Sequence, residues 1–503
     1  MMEGFGVHTF RFVNEKNESC FVKFHWKPKL GTHAVVWDEA LKISGNNSDF
    51  HRLDLWEAIE LGNFPEWELG VQIVPEADEK NFDFDLLDPT KIIPEEQVPV
   101  TIIGRMVLNK NPDNFFAETE QIAFHPGHVV PGIDFTNDPL LQERLFSYTD
   151  TQLFRLGSPN FHEIPINRSI APIHNNQRDG YMRQEINLGR VSYHPNSLGG
   201  GCPFQAKMSE GGFTSVNERV DAHKIRQRSN SFRDHFSQAR LFYKSQTDTE
   251  KAQIAHAFRF ELGKVETTEV RVRMLGLIAQ VDKKLAEKVA EGLGAKVPEQ
   301  PEVPMNHGVG ADDRGKQEPT SVNEHTFVSN ALSMIKNPTV HPTIKSRKVA
   351  FLCNHGVSEA SIMRFKKALI QEDAKACIIG PNLGFVRTEE GGELPVDFSF
   401  FTSSSVLFDS VFIPHGSQQY SLSEDPDVME YLNDAYRHCK YIGADGDGID
   451  LLSAPLFMAR GEDLKDKGFI IGSIDDEPFT TKFVNALKNH RFWQREEKLK
   501  TNK

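Results

Sequence analysis

The sequence has no long apolar run, few cysteines and a deficit of positive charge. No stretch approaches the roughly 20 apolar residues of a membrane-spanning helix, so we expect no membrane segment. Acidic residues outnumber basic ones by 71 to 57, and the net charge of -14 argues against a general nucleic-acid or anionic-membrane binder. The cysteines lack zinc spacing, which indicates free buried thiols: Cys20, Cys202, Cys353, Cys377 and Cys439.

The segment that follows Asp138 has the signals of a complete helix. Asp138 is an N-cap residue type, and Pro139 stands at the first helical position, where proline is favoured. Gly157 supplies the left-handed residue that ends many helices. The spacing therefore predicts a helix from Pro139 to about Leu156.

One face of this helix places a phenol between two guanidinium groups. At about 100° per residue, Arg144, Tyr148 and Arg155 fall within an arc of roughly 40°. A cation one turn away favours the phenolate form of Tyr148, which is a hard ligand for ferric iron, and Arg155 can hold a carboxylate. Haem offers both an iron and two propionates. On spacing alone, a surface tyrosine between solvated arginines remains the commoner explanation.

Longer sequence motifs resemble those of a known family. Arg144-Leu-Phe-Ser-Tyr148 is similar to the haem-ligand signature of the haem catalases, and four other blocks resemble that family in the family's order. They are Met2–Phe10, Phe24–Pro28, Val107–Glu118 and Pro165–Arg168. The resemblance covers essentially the whole chain, and the long C-terminal extension resembles the large-subunit group.

The resemblance implies a haem catalase, an oxidoreductase that disproportionates hydrogen peroxide to water and oxygen in oxidative-stress defence. It implies haem as the cofactor, of type b or a modified type, and a homotetramer in the full-length form. Carried over by position, Tyr148 is the proximal iron ligand, Arg144 its hydrogen-bonding partner and Arg155 a propionate anchor. His8 and Asp138 match a pair that extends from Arg144 as a relay.

Three further positions near this signature need comment. His125 matches a residue that becomes covalently joined to the ligand tyrosine in some large-subunit members. His128 we interpret as structural, because the Pro and Gly of His125-Pro-Gly-His128 break the register that a helical metal pair needs. Glu143 departs from the family, which usually has Gly there, and adds a carboxylate that we expect to weaken the pull of Arg144 on Tyr148.

Catalase chemistry also needs a distal histidine and a distal asparagine, whose family blocks are not in this sequence. The histidine moves a proton between the peroxide oxygens, which is general acid-base work. Thr32-His33 and Gly45-Asn46-Asn47 resemble these blocks only faintly and lack the flanking residues. Since Met2 matches an internal family position, we expect an N-terminal part to be missing. The chain would then carry the proximal haem side only.

That expectation has consequences for fold and activity. Half a barrel has open edges, which demand a partner, and turnover by this chain alone is in doubt. The alternative is a non-catalytic subunit of the catalase fold that holds haem or assists assembly. A signal peptide cannot be judged, so the cytoplasm is only the default compartment.

The predicted fold class is an α+β catalase fold followed by an α/β flavodoxin-like domain. Short β-rich runs come first, interrupted by one helix over Asp49–Ile59, and helical periodicity covers Phe236–Phe260 and Val270–Leu293. The predicted units are the C-terminal half of the barrel (1-110), a wrapping segment with the proximal helix (111-240), a helical segment (241-295), a linker (296-345) and the flavodoxin-like domain (346-503).

The last unit resembles the amidotransferase-related domain of large-subunit catalases. Its alternation of strands and helices predicts a parallel sheet wrapped by helices. Related enzymes have a cysteine on the turn after the strand that matches Tyr441–Ala444, but this chain has Asp445 there, and Cys439 precedes the strand. We therefore predict no thiol nucleophile. The Asp445–Asp450 run we interpret as a plain turn rather than a calcium loop.

Overall fold

The computed structural model describes residues 2–171, 177–190, 211–221, 223, 230–300, 328–337, 342–416, 422–459 and 464–495. The predicted linker falls outside these ranges at 301–327 and 338–341, and so does Cys202. Across the described ranges, no helix combines the length and apolarity that crossing a bilayer requires.

The N-terminal part is built on an antiparallel sheet. The strand order is β5-β4-β3-β2-β6, and β1 pairs with β3. Phe21, Val74, Leu86 and Ile93 form the core under this sheet. In the described residues β5 and β6 are its two edges. The strands are β1 (Gly4–Phe5), β2 (Phe10–Val13), β3 (Ser19–Pro28), β4 (Glu66–Pro75), β5 (Thr101–Val107) and β6 (Ile133–Phe135).

Two helices, which we call the insert, lie between β3 and β4. They are α1 (Trp37–Asn46) and α2 (Phe50–Glu60). The sequence predicts α2 correctly. The prediction of one helix in this region is wrong, because α1 is a second one. The end of α1 contains Ser44, Gly45 and Asn46, which are poor helix formers, and Val36 offers no side-chain cap. Tertiary contacts to the C-terminal domain stabilise this helix instead.

The helical region after residue 236 contains more helices than the sequence predicts. Each of the two predicted segments is a pair of helices, because a capping residue starts a new helix inside it. Thr247 and Glu250 form a capping box, and Asp282 accepts a hydrogen bond from Leu285 N. The helices are α4 (Ser237–Ser245), α5 (Asp248–Gly263), α6 (Thr268–Val281) and α7 (Lys283–Leu293), and they follow α3 (Pro139–Leu156).

The C-terminal domain has a six-stranded sheet whose neighbouring strands all run parallel, in the order β11-β8-β7-β12-β13-β14. Helices cover both faces, as the alternation in the sequence predicts. The strands are β7 (Lys348–Leu352), β8 (Lys375–Gly380), β11 (Phe398–Ser399), β12 (Ser410–Ile413), β13 (Ile442–Asp445) and β14 (Phe469–Gly472), with a β9 (Gly384–Arg387) and β10 (Glu393–Val396) hairpin. The helices are α8 (Glu359–Gln371), α9 (Pro426–Arg437), α10 (Gly448–Leu451), α11 (Leu456–Ala459) and α12 (Glu477–Leu487).

Candidate functional site

Helix α3 has the boundaries that the sequence predicts. Asp138 is its N-cap, and Oδ1 accepts hydrogen bonds from the backbone N–H groups of Leu140 (2.9 Å) and Leu141 (3.1 Å). Gly157 ends the helix with φ at 73°. These caps satisfy backbone groups at both ends, so the local sequence alone sets the register of the helix.

Arg144 and Tyr148 are in direct contact on this helix. Arg144 Nη2 donates to the phenol oxygen at 2.9 Å, and the guanidinium carbon lies 4.9 Å from the centre of the Tyr148 ring. Glu143 is exposed and makes no ion pair with Arg144 among the described contacts. Glu143, where the family usually has Gly, therefore does not draw the Arg144 guanidinium away from the Tyr148 phenol.

The pair formed by His8 and Asp138 is buried at the start of α3. His8 Nδ1 donates to Asp138 Oδ2 at 2.6 Å, and the two side chains are 6% and 0% exposed. One carboxylate thus caps the helix with Oδ1 and holds a histidine with Oδ2. His8 Nε2 is buried without a hydrogen-bond partner among the described residues. None of the described hydrogen bonds links this pair to Arg144, so the predicted relay stays a prediction.

Arg155 is anchored to the loop that precedes the helix. Its Nη1 donates to the carbonyl of Glu120 at 2.7 Å, and Nη2 donates to the carbonyl of Ile122 at 2.5 Å and to Gln152 Oε1 at 2.6 Å. The side chain is exposed, and its acceptors are neutral. The positive charge is therefore held in place without a carboxylate partner among the described residues, and the propionate role stays a prediction.

Hydrogen bonds fix the protonation pattern of His125. The Gly127 N–H donates to Nδ1 at 2.8 Å. The Thr149 hydroxyl donates to the Leu145 carbonyl at 2.8 Å, so its oxygen accepts from His125 Nε2, 2.7 Å away. One acceptor and one donor nitrogen make a neutral imidazole. Its ring centre lies 6.4 Å from that of Tyr148, at an interplanar angle of 67°.

His128 packs in a stack of rings rather than facing a metal. It is parallel to His125 at 4.6 Å between ring centres and lies 5.5 Å from the ring of Phe161. Burial lowers the pKa of His128 to about 4, with a further contribution from His125 and His162. This is the neutral, structural histidine that we infer from the sequence.

The two segments that faintly resemble distal blocks have structural contacts elsewhere. The ring of His33 lies against that of His490 of the C-terminal domain, with ring centres 4.5 Å apart and an interplanar angle of 41°, and its Nε2 donates to the Leu30 carbonyl. Asn46 donates to the Lys42 carbonyl, and Asn47 accepts from the Asp49 N–H. These contacts agree with the interpretation that neither segment supplies a distal residue.

The turn after β13 carries no thiol. Asp445 ends the strand and is 1% exposed, with Oδ2 accepting from the Ser361 hydroxyl at 2.5 Å and Oδ1 from the Ile474 N–H at 2.7 Å. Cys439 is buried ahead of the strand. Burial raises the pKa of Cys377 to about 11 and that of Cys353 further, so both thiols stay protonated at neutral pH.

In the C-terminal domain, two loops meet across the crevice where parallel sheets usually bind ligands. Strand order reverses between β7 and β12, and ligands of parallel sheets bind at the carboxyl ends there. The Ser358 N–H donates to the His415 carbonyl at 2.9 Å across this point. A Cβ on Gly416, which has φ at +82°, would lie 2.3 Å from the Gly356 carbonyl oxygen. The two loops are therefore in contact, and only glycine permits their approach.

We expect the chain to show no amidotransferase and no thiol-dependent hydrolase activity. The reason is that the turn offers a hydrogen-bonded carboxylate, and the described thiols near the sheet are buried. The measurement is turnover of glutamine and of a thioester substrate before and after alkylation with iodoacetamide. An activity that alkylation abolishes would contradict this prediction.

Sequence reasoning missed the residues that hold His125. Thr149 and Gly127 supply its two hydrogen bonds, and Thr149 lies 24 residues away in the chain. The local signal for Thr149 was its position directly after Tyr148. Threonine is too common a residue for this position to indicate a contact with His125.

Comparison with known proteins gives matches along most of the chain. The family described as catalase matches residues 1–200, the family described as catalase-related immune-responsive matches 229–293, and the C-terminal domain found in long catalases matches 345–497. The chain is 51% identical over 501 residues to catalase HPII of Pseudomonas putida and 49% identical over 499 residues to catalase-2 of Bacillus subtilis.

These matches cover a larger share of this chain than of its relatives. They cover 99% of the chain and 66% of the Pseudomonas putida protein, and 98% and 68% for the Bacillus subtilis protein. The chain therefore spans about two thirds of the length of these relatives. The expectation that an N-terminal part is missing is not supported by the comparisons, which match this chain almost completely.

Proposed function

Because the chain belongs to the catalase family and carries the C-terminal domain found in long catalases, we propose that it is a haem catalase polypeptide. The reaction would convert two molecules of hydrogen peroxide into two of water and one of oxygen. The observation that supports this most is the hydrogen bond from Arg144 to the phenol oxygen of Tyr148 on helix α3.

The cofactor of the catalase family is haem, and the donor set around α3 fits it. Iron bound as haem accepts a phenolate ligand, and its propionates need cations. Tyr148 offers the phenol oxygen, and Arg155 offers an exposed guanidinium whose described acceptors are neutral. Bound haem would supply the ferric iron at which peroxide reacts.

The residues of this chain would prepare the proximal side. Arg144 Nη2 donates to the Tyr148 oxygen and so stabilises negative charge on it. Asp138 caps the start of the helix that carries Tyr148, and His8 holds the second oxygen of this carboxylate. His125 is a neutral ring at the edge of Tyr148. We propose that these residues form the proximal haem side.

Proton movement between the peroxide oxygens needs a group on the opposite side of the haem. Neither family block that carries such a histidine or asparagine occurs in this sequence, and the ring of His33 lies against that of His490. Among the residues of this chain we assign no general acid-base group. The predicted homotetramer of the full-length form remains a proposal.

The absence of both blocks favours a second candidate function. In this alternative the chain is a non-catalytic subunit that holds haem or assists assembly. The open β5 edge, where Ile102 and Ile103 are 44% and 55% exposed, is a surface to which another strand can add. Oxygen evolution well above that of free haem would support the catalase function and exclude this alternative.

We expect the purified chain, loaded with haem, to evolve oxygen from peroxide no faster than free haem does. A positioned general acid-base group typically contributes about 10² to 10⁴ in rate, and none is assigned here. The measurement is oxygen-electrode turnover per bound haem, with haem alone and a full-length family catalase as references. Turnover near that of the full-length reference would show that the chain has its own acid-base group and would exclude the non-catalytic alternative.

A further inference from the structure

Helix α1 of the insert contacts the C-terminal domain mainly through charged side chains. Asp38 lies 3.1 Å from Arg437 and 2.9 Å from His438 Nε2. Lys42 Nζ lies 2.5 Å from Asp434 Oδ1. These pairs are partly exposed at the helix, and they place its first two turns against the end of α9.

Between these pairs, one carboxylate is completely buried in the C-terminal domain. Glu39 is 1% exposed, and its Oε1 lies 2.9 Å from Lys440 Nζ and 3.1 Å from Arg491 Nη2. Burial alone would raise the pKa of Glu39, but Lys440 and Arg491 hold it below its usual value. The carboxylate is therefore ionised between two cations.

Both cations belong to the C-terminal domain and are positioned by its own backbone. The ammonium of Lys440, just before β13, donates to the carbonyls of Ser405 (2.5 Å) and Phe408 (2.7 Å). Arg491, after α12, donates to the Asp409 carbonyl at 3.2 Å. Lys440 is 0% exposed, and Arg491 is 4% exposed. We call these two side chains the carboxylate socket.

No carboxylate of the C-terminal domain is ion-paired with the socket in the described contacts, and Asp409 acts on Lys440 only from beyond ion-pairing distance. Among the described contacts, Glu39 is the one carboxylate within ion-pairing distance of either Lys440 or Arg491. Two buried cations without an anion are strongly unfavourable, because burial removes their hydration. The carboxylate that is ion-paired with these two cations therefore comes from the other half of the chain.

Unused hydrogen-bonding capacity remains in the socket. Glu39 Oε2 and Arg491 Nε are buried and have no hydrogen-bond partner among the described residues. A free carboxylate, which is not tethered to α1, can turn so that both of its oxygens meet donors. A small monocarboxylate of the size of formate fits this chemistry.

We propose that Lys440 and Arg491 form a carboxylate-binding site through which the C-terminal domain docks the insert of the catalase domain, with Glu39 as the natural occupant.

The test is the apparent melting temperature of the full chain, followed by tryptophan fluorescence. Glu39→Ala should lower it by roughly 6 to 15 °C, since removal of one partner leaves the buried cations uncompensated. Sodium formate should raise the melting temperature of Glu39→Ala in a saturable manner, relative to equal sodium chloride. The matched control is Glu57→Ala, because Glu57 also joins the insert to the C-terminal domain, through Lys348 at 2.7 Å, but is 42% exposed. Its expected change is about 2 °C or less, with no formate effect.

Each outcome decides the proposal. Equal melting temperatures for the Glu39→Ala and Glu57→Ala variants, or a Glu39→Ala variant that formate does not stabilise beyond chloride, would overturn it. If Glu39→Ala does not fold, Glu39→Gln keeps the shape and removes the charge. A Glu39→Gln variant as stable as the wild type would then refute the proposal, and a clear loss that Glu57→Gln does not share would support it.

Discussion

Replacement of Tyr148 by phenylalanine is expected to abolish haem retention by this chain. The phenol oxygen is the proposed iron ligand, and Arg144 donates to it at 2.9 Å. Phenylalanine keeps the ring and removes the side-chain oxygen that would bind iron. Loss of groups that merely orient a ligand costs about 10- to 100-fold in affinity, so loss of the ligand itself should cost at least that much. The measurement is the haem-to-protein ratio after gel filtration, together with the Soret band.

The matched control is Tyr181→Phe, which makes the same chemical change at a phenol that is 85% exposed. This variant should retain haem like the wild type. Circular dichroism and melting temperature show whether Tyr148→Phe still folds. A folded Tyr148→Phe protein with normal haem content and an unchanged Soret band would exclude Tyr148 as the ligand.

The second large effect is expected at Asp138. Asp138→Ala removes the N-cap of α3, which costs about 1 kcal/mol, and leaves the buried His8 without its acceptor, which costs about 1 to 3 kcal/mol more. The sum is a large part of the stability of a typical domain. Urea unfolding, followed by circular dichroism, should show a lower midpoint.

Asp425→Ala is the control for the cap alone. Asp425 caps α9 by accepting from the N–H groups of Asp427 and Val428, and its described contacts include no histidine. The loss in this variant should be near that of a single cap. If Asp138→Ala and Asp425→Ala lower the midpoint equally, the His8 contact contributes nothing measurable to stability.

Local signals predicted the helix that carries the proposed ligand. Asp138, Pro139 and Gly157 act on neighbouring backbone groups, so their effect can be read from the sequence, and the structure has α3 at Pro139–Leu156. Arg144 and Tyr148 are four residues apart on that helix, which brings their side chains together. Spacing alone did not distinguish this pair from a solvated surface pair. The motifs around it that resemble the catalase family made that distinction.

Contacts between distant segments could not be predicted in the same way. Helix α1 has weak helix formers at its end and no side-chain cap, so its sequence did not reveal it. Glu39 binds Arg491 over 452 residues of chain, and His125 binds Thr149 over 24. The periodicity of apolar residues along the sequence does not predict contacts between such distant residues.

The sequence by itself determined the family resemblance, the proximal helix, the parallel alternation of the C-terminal domain and the lack of a thiol at Asp445. Each follows from residues close together in the chain, where capping, periodicity and turn chemistry act. Only the tertiary structure decided that Asp138 holds His8, that His125 is a neutral imidazole, and that Glu39 is buried between Lys440 and Arg491. The physical reason is that burial and charge pairing depend on which distant segments exclude water from one another.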